Sequence, residues 1–431
     1  MTGSLWRDRR FVRFWAGQTV SQFGDRVTEL ALPLIAVAAL HASAAQVALL
    51  TALSWAPNLL AFVLGAWVDR RRGKRELMVA ADLVRAGVLL TLPVAALFDM
   101  VTLGQVYAVA LLTGLAGVVF GNAYQSFFAR LVPRSSYVDA NSKLSASRSA
   151  SFIAGPALGG GLVQLLTAPV AVAVDAVSFL ASAVLVGRIR VDEPVSTADE
   201  GSTAGPSLLR SAREGLTFIV RHPVLRSALA CTTTLNFFTF LAGTGLLVLF
   251  ADRELGVSAG VIGLAFGAGA TGGLLGAVTA PRISRLIGVG RSVAVGAVLF
   301  PAPYALVWAA EGPLWARAGV LAAVEFLSAF GVMLFDVNLN SLNASVIPDA
   351  LRSRVAGAYT TVNYGIRPLG ALTGGGLAMV IGLRPTITVA AVGGALSLLW
   401  LLPSPIPGIR GLAGRSWTDV PADLAPPMPS E

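Results

Sequence analysis

The chain has 431 residues, of which 55% are hydrophobic and 13% are charged, and its formal net charge is +9. Soluble domains carry about 25% charged residues, so this composition excludes a soluble globular protein and indicates an integral membrane protein. Basic residues of membrane proteins gather in cytoplasmic loops, so the positive charge does not indicate a nucleic-acid partner.

Several kinds of chemistry are also excluded. The one cysteine, Cys231, cannot form an intramolecular disulfide, and the two histidines, His41 and His222, form no cluster of metal ligands. No stretch matches the GxxxxGK[ST] pattern of a phosphate-binding loop, so the chain does not drive its work by its own ATP hydrolysis. No Ser-His-Asp constellation is visible. We therefore expect neither an enzyme nor a cofactor.

Twelve stretches of the chain are apolar enough to be membrane helices, which need about 20 mostly apolar residues to cross the hydrocarbon core. They lie at 12–40, 44–67, 77–98, 103–127, 146–166, 169–188, 226–250, 258–280, 291–310, 316–339, 355–381 and 385–403. The first stretch is too long and too charged to be the apolar part of a cleaved signal peptide. The sequence thus predicts an all-α integral membrane protein with twelve transmembrane helices.

Arginine and lysine residues predict the orientation of these helices. With twelve spans both chain ends share one side, and nearly all basic residues outside the spans lie there. The opposite side holds only Arg253, Arg317 and Arg384. Because basic loops stay on the cytoplasmic side, we expect both termini to be cytoplasmic.

The first stretch carries three charges, Asp25, Arg26 and Glu29, near the middle of the membrane. Each costs about 2.5–3.5 kcal/mol there, so such groups usually face a cavity and have a function. Asp25 and Glu29 lie four residues apart on one helix face, and their mutual repulsion favours proton uptake by one of them. We expect Glu29 first, then Asp25, to carry a proton, with Glu325 of the tenth stretch as a further candidate. The alternative is a charge network that only sets helix packing.

The loop after the second stretch reads "GAWVDRRRGKRELM". An aspartate at a helix end can meet an arginine and the positive end of another helix, and a contact made in only one conformation favours that conformation. Such a contact would act as a conformational latch. The corresponding loop in the second half of the chain, "APRISRLIGVGR", has Ser284 in place of this aspartate, so the latch would be present in the first half only. The alternative is that the basic residues only anchor the topology. The candidate latch residues are Gly65, Asp69, Arg70, Gly73 and Arg75.

The fifth stretch contains "SFIAGPALGGG", residues 151–161, and the eleventh contains the similar "GIRPLGALTGGG". Small residues let helices approach closely, and proline bends a helix by freeing backbone groups. This motif has either a role in transport or a role in ordinary close packing. Its candidate residues are Gly155, Pro156, Gly159 and Gly160.

The chain divides into two related halves. We expect a first six-helix half at 1–188, a cytoplasmic linker at 189–224 with an amphipathic helix at 207–221, a second half at 225–403, and a disordered tail at 404–431. A shift of 215 residues aligns the halves without an insertion. It pairs Ser43 with Ser258, Gly73 with Gly288, Phe120 with Phe335, Ser126 with Ser341 and Pro133 with Pro348.

These motifs resemble the major facilitator superfamily, in particular its drug:proton antiporter branch of macrolide-efflux and siderophore exporters. Further stretches that carry the resemblance are "LVPRSSYVDANSKLSASRS" and "REGLTFIVRHPVLRSAL". The resemblance implies two pseudo-symmetric six-helix halves in a bacterial plasma membrane. It also implies multidrug efflux, and hence antibiotic resistance, by proton antiport.

The expected partners are a hydrophobic or amphipathic small-molecule substrate, protons and the lipid bilayer, and we expect a monomer. Two alternatives stay open on the same fold. One is a membrane receptor or assembly component that transports nothing, and the other is a nutrient importer. A fold does not by itself decide between them.

Overall fold

The computed structural model describes residues 5–71, 73–133, 136–190, 208–348 and 351–411, and within them it contains helices and no strand. Its α-helices are α1 (Arg9–Leu34), α2 (Ala44–Trp55), α3 (Ala61–Arg70), α4 (Lys74–Ala96), α5 (Leu103–Leu131), α6 (Tyr137–Leu166), α7 (Ala168–Gly187), α8 (Leu208–Arg221), α9 (Pro223–Ala242), α10 (Thr244–Arg253), α11 (Ala259–Ile287), α12 (Val289–Leu299), α13 (Leu314–Val346), α14 (Arg352–Ile381) and α15 (Leu383–Ala395). Short π or 3₁₀ turns are Leu5–Arg7, Ile35–Ala39, Ala56–Leu60, Ala302–Ala309, Leu396–Trp400 and Ile406–Gly408.

Nine helical segments of the described residues are long and apolar enough to cross a membrane. The three other predicted spans correspond to α1, to α2 with α3, and to α14. The first and last of these carry charges such as Arg26 and Arg367, and the second is interrupted by a 3₁₀ turn. Twelve helical segments therefore occupy the positions of the twelve predicted stretches.

The helix ends repeat at the same 215-residue interval that aligns the two halves of the sequence. Ser43 and Ser258 precede α2 and α11, and Gly73 and Gly288 precede α4 and α12 with φ of 78° and 94°. Val132 and Ile347 follow α5 and α13. Thr167 and Gly382 separate the last two helices of each half. The prediction of two pseudo-symmetric halves is confirmed.

Among the described residues, the buried apolar side chains connect the two halves at one end of the bundle. We call the end that holds Leu5 and Ile409, near the two ends of the described chain, the terminal end, and the opposite end the distal end. The largest cluster lies at the distal end and includes side chains of both halves, such as Ile35 and Phe250. The clusters at the terminal end each belong to one half. The halves are therefore closed together distally and separate toward the terminal end.

One prediction about the segments outside the bundle requires correction. The predicted disordered tail from Ser404 is wrong for residues 404–411, because Ile406 and Ile409 are buried and the Gly290 N–H donates to the Ile409 carbonyl at 2.9 Å. Residues 412–431, and 191–207 of the linker, lie outside the described residues. The described part of the amphipathic helix runs over Leu208–Arg221, and the Arg354 Nη1 pairs with the Glu214 Oε2 at 2.7 Å.

Close backbone contact between the halves occurs where α6 crosses α11. A Cβ atom on Gly160 would lie 2.6 Å from the Ala259 carbonyl oxygen and 2.8 Å from the Gly263 Cα, so only glycine fits there. The pseudo-symmetric crossing of α14 with α2 places Gly375 against Ala48. Backbone atoms cannot move aside as a flexible side chain can, so these crossings fix the distance between the halves.

We predict that Gly160→Val lowers the stability of the protein, because the added methyl groups collide with backbone. Overpacking of this kind costs about 1–3 kcal/mol. Gly161→Val is the matched control, since no heavy atom lies within 4 Å of a Cβ at Gly161. Thermal unfolding of both purified variants in one detergent measures the difference, and equal midpoints would show that the α6–α11 crossing has been misjudged.

Candidate functional site

A cavity of about 490 Å³ lies between the halves, within the size range of small-molecule sites. Side chains of α1, α6, α11 and α13 line it, with Thr244 of α10 at its distal end. Apolar side chains such as Phe152, Phe266 and Met333 make up much of the wall. The cavity brings together three of the predicted coupling residues, Arg26, Glu29 and Glu325, in one site.

The charges Arg26 and Glu29 form an ion pair at the cavity wall. The Arg26 Nη1 donates to the Glu29 Oε2 at 2.5 Å, and the guanidinium lies 4.1 Å from the centre of the Phe152 ring. Half of the Glu29 side chain is exposed. The sequence predicted Asp25 and Glu29 as two carboxylates that repel each other, whereas Glu29 is neutralised by an arginine one helical turn away.

Asp25 belongs to a different cluster, on the side of α1 that faces α4. The Arg85 Nη2 lies 3.6 Å from the Asp25 Oδ1, and the Arg85 Nη1 lies 3.8 Å from the Asp82 Oδ1. Asp82 is 1% exposed, and the Arg85 guanidinium lies 4.3 Å from the centre of the Phe179 ring. Asp25 does not line the large cavity. The sequence analysis, which considered the charges of the first stretch by their spacing along one helix, missed this cluster.

A buried acid of α7 completes the polar interior of the first half. The Thr28 hydroxyl donates to Asp175, and the Ser178 Oγ donates to the Asp175 Oδ1 at 3.0 Å. Asp175 is 1% exposed. Since Thr28 is on α1, this hydrogen bond fixes α1 against α7.

Glu325 lies in the middle of α13 at the deep end of the cavity. The 3₁₀ turn Ala302–Ala309 packs beside it. The Tyr304 hydroxyl donates to the Glu325 Oε1 at 3.2 Å. None of the ion pairs found in the described part of the chain involves Glu325. A Cβ on Gly269 would lie 3.2 Å from the Glu325 Cβ, so the small residue of α11 provides the space for this acid. Glu325 is the cavity's acid without a cationic partner among the described residues.

The glycine motif of α6 supports the cavity from behind. A Cβ on Gly155 would lie 2.5 Å from the Arg26 Cβ, and one on Gly159 would lie 3.1 Å from the Val27 Cα. Gly160 faces the second half, and Pro156 lines the cavity. Gly155 and Gly159 thus pack α6 against α1 and hold the Arg26 backbone close to the cavity.

The predicted latch loop lies at the terminal end of the first half. A Cβ on Gly65 would lie 2.9 Å from the Asn122 Oδ1, Arg70 is exposed, and Gly73 precedes α4. The Arg75 Nη1 donates to the Ile189 carbonyl at 3.0 Å, which connects the loop to the end of α7. The side chain of Asp69 lies outside the described residues.

Sequence reasoning also missed the surroundings of an arginine of α14, which lies among aromatic rings at the interface between the two halves. The Arg367 guanidinium lies 4.3 Å from the centre of the Trp55 ring, 4.2 Å from that of Tyr364 and 4.9 Å from that of Phe240. The Arg367 Nε donates to the Asn236 Oδ1 at 2.8 Å. Trp55 comes from the first half, so this cation–π contact joins the halves. Only the position of Arg367 in a membrane helix signalled it.

The sequence profile of the Major Facilitator Superfamily matches residues 14–371. The chain belongs to this superfamily. Its relatives include the multidrug efflux pump Tap of Mycolicibacterium fortuitum, 27% identical over 88% of this chain and 90% of Tap. The MFS-type transporter YfiS of Bacillus subtilis is 25% identical over 89% and 90%. A crystal structure of the nucleoside transporter NupG superposes with a TM-score of 0.69 at 13% identity, covering 92% of this chain and 98% of NupG.

The structural match and the sequence matches support different conclusions. The match to NupG concerns the fold alone, because its identity is low. As a member of the Major Facilitator Superfamily the protein is a multi-pass transporter, and the cavity between its halves is the natural place for a small-molecule substrate. Membership of the superfamily identifies neither the transported molecule nor the energy source.

We predict that Arg85→Leu destabilises this superfamily member far more than Arg26→Leu. Arg85 compensates a buried acid, and removal of one partner of such a pair costs about 3–5 kcal/mol. Asp82 can take up a proton, so we expect the lower end of that range. Arg26 and Glu29 are partly exposed, and their pair contributes at most about 1 kcal/mol. Thermal unfolding of both variants measures this order, and a larger loss for Arg26→Leu would contradict it.

Proposed function

We propose that this protein is a proton-coupled antiporter that exports hydrophobic or amphipathic small molecules, such as antibiotics, natural products or siderophores. The main support is the position of Glu325 at the deep end of a largely apolar cavity, with a hydroxyl and no cation beside it among the described residues. The similarity to an efflux pump over most of the chain supports the direction of transport. The protein is then a transporter and not an enzyme.

The proposed orientation places the terminal end, with both chain ends, in the cytoplasm of a bacterium whose plasma membrane holds the protein. The arginine-rich loops of the sequence support this side. The cavity between the halves is then open toward the cytoplasm, since the apolar cores of the halves merge only at the distal end. A substrate would enter this conformation from the cytoplasm or from the adjoining lipid.

Coupling follows from the cost of an unpaired carboxylate in a site that closes. When the halves close over the cavity, Glu325 loses access to water and must be neutral or compensated. A proton neutralises it, and a cationic group of a substrate compensates it. If each occupant excludes the other, the site changes from inward-open to outward-open with substrate bound, and it changes back with a proton bound. The two steps together are antiport.

We rank the candidate coupling residues in a different order from the one that the sequence predicts. We place Glu325 ahead of Glu29 because Arg26 already neutralises Glu29, and we place Asp25 last because it lies with Arg85 outside the cavity. Glu29 and Arg26 then form the polar part of the substrate site. The latch proposed for Asp69, Arg70 and their loop would stabilise one of the two conformations by a charge contact.

We predict that Glu325→Gln abolishes uphill, gradient-driven efflux from proteoliposomes and leaves energy-independent counterflow of substrate intact. Glutamine keeps the shape and the hydrogen bond to Tyr304 but cannot release a proton. The substrate comes from a chemically broad panel, measured with and without an uncoupler on the wild-type protein. Glu29→Gln should lower the rates of both kinds of transport together, because it changes the substrate site.

Asp25→Asn is the matched control, since it removes a carboxylate of a membrane helix that does not line the cavity. It should leave coupling largely intact. Wild-type pH dependence of uphill transport in Glu325→Gln would rule out this residue as the proton carrier. Efflux by the wild-type protein that persists in the presence of an uncoupler would rule out proton coupling altogether.

A further inference from the structure

A second, smaller cavity lies behind Glu325. Its volume is about 90 Å³, and it shares Glu325, Thr244 and Phe266 with the large cavity. We call it the inner chamber. One water needs about 10–15 Å³ of such space, so the inner chamber has room for several. Glu325 therefore stands between two separate spaces.

One polar residue in the wall of the inner chamber has a hydroxyl without a hydrogen-bond partner among the described residues. The Thr239 hydroxyl oxygen is buried and has no hydrogen-bond partner among the described residues. The Tyr304 hydroxyl also lines the chamber, and after donating to Glu325 its oxygen can still accept a hydrogen bond. Buried polar side chains are almost always satisfied by protein or by ordered water. An unsatisfied hydroxyl on a residue of the chamber wall therefore favours ordered water in this space.

The wall of the inner chamber is also the place where a membrane helix is broken. The helix α9 ends at Ala242 and α10 begins at Thr244, with Gly243 between them at φ 46° and ψ 152°. No side chain caps the start of α10, so the N–H groups of its first turn lack intrahelical acceptors. Broken backbone at membrane depth occurs only where it is buried in protein or lines a water-filled cavity.

The inner chamber is closed toward the distal end in this conformation. Leu247 forms part of its wall and is 3% exposed within the distal apolar cluster, which joins both halves. Water in the inner chamber therefore reaches the distal side only when that cluster separates. In the present conformation Glu325 meets the bulk solution through the large cavity alone.

We propose that the inner chamber holds a short chain of ordered water molecules that forms the distal-side proton path of Glu325, with Thr239 as a positioning residue. The proposal rests on the proposed function. When the distal side opens, a hydronium ion at the end of the chain gives up a proton. Each water in turn passes one on, and the last forms an O–H bond at the Glu325 carboxylate. When the large cavity is open, that bond breaks and the proton leaves to the other side.

The functional test compares two threonines of α9. Thr239 lines the chamber, and Thr239→Val replaces its hydroxyl by a methyl group of similar size. Thr233→Val is the matched control, because its hydroxyl is also buried without a partner among the described residues but does not line the chamber. We expect Thr239→Val to slow proton-driven efflux roughly three- to tenfold, the factor that the loss of one hydrogen bond produces, with counterflow unchanged. Thr233→Val should retain the wild-type rate.

The structural test does not depend on transport. A high-resolution experimental structure of the wild-type protein should show two or more ordered waters between Thr239 and Glu325. A dry chamber, or equal effects of the two valine variants on efflux, would overturn the proposal. Ordered water together with sodium-driven rather than proton-driven efflux would overturn both the proton path and the proposed function. Proton-driven efflux with a dry chamber would leave the proposed function standing and overturn only the water path.

Discussion

A charged side chain inside a membrane must be paired or must face water, and this constraint orders the structure. In the first half the mid-membrane charges of α1, α4 and α7 have partners: Arg26 binds Glu29, Arg85 lies between Asp25 and Asp82, and Asp175 accepts two hydroxyl hydrogen bonds. In the second half Arg367 is stacked among aromatic rings. Glu325 has only the Tyr304 hydroxyl among the described residues, and two cavities meet at it.

The duplicated halves have therefore come to differ in what they do. The helix ends still repeat at the interval of 215 residues, and the glycine crossings of α6 with α11 and of α14 with α2 mirror each other. The positions that correspond to Asp25 and Glu29 are Phe240 and Thr244, which carry no charge. A symmetric frame allows the two halves to move against each other, while the asymmetric charges give the two ends of the cavity different chemistry.

The fold could be predicted from the sequence because apolar length and arginine position are local properties. The glycines of "SFIAGPALGGG" announced close packing, though not that Gly155 would back onto Arg26. The site was harder to predict, since spacing on α1 places Asp25 and Glu29 together but cannot reveal that Asp25 pairs with Arg85 of α4 while Glu29 pairs with Arg26. Tyr304 and Thr239 carry no charge and form no motif, so only the folded chain brings them to Glu325. Ile406 and Ile409 were overlooked because prolines surround them.

In the proposed mechanism substrate and proton exchange for one another through Glu325. Reciprocity requires that a substrate gradient alone must then move protons. The most direct measurement is the internal pH of proteoliposomes that hold a pH-sensitive dye and receive an outward-directed substrate gradient without any imposed proton gradient. We expect an inward proton flux, seen as internal acidification, that Glu325→Gln abolishes. Substrate efflux without any change of internal pH in the wild-type protein would contradict this exchange.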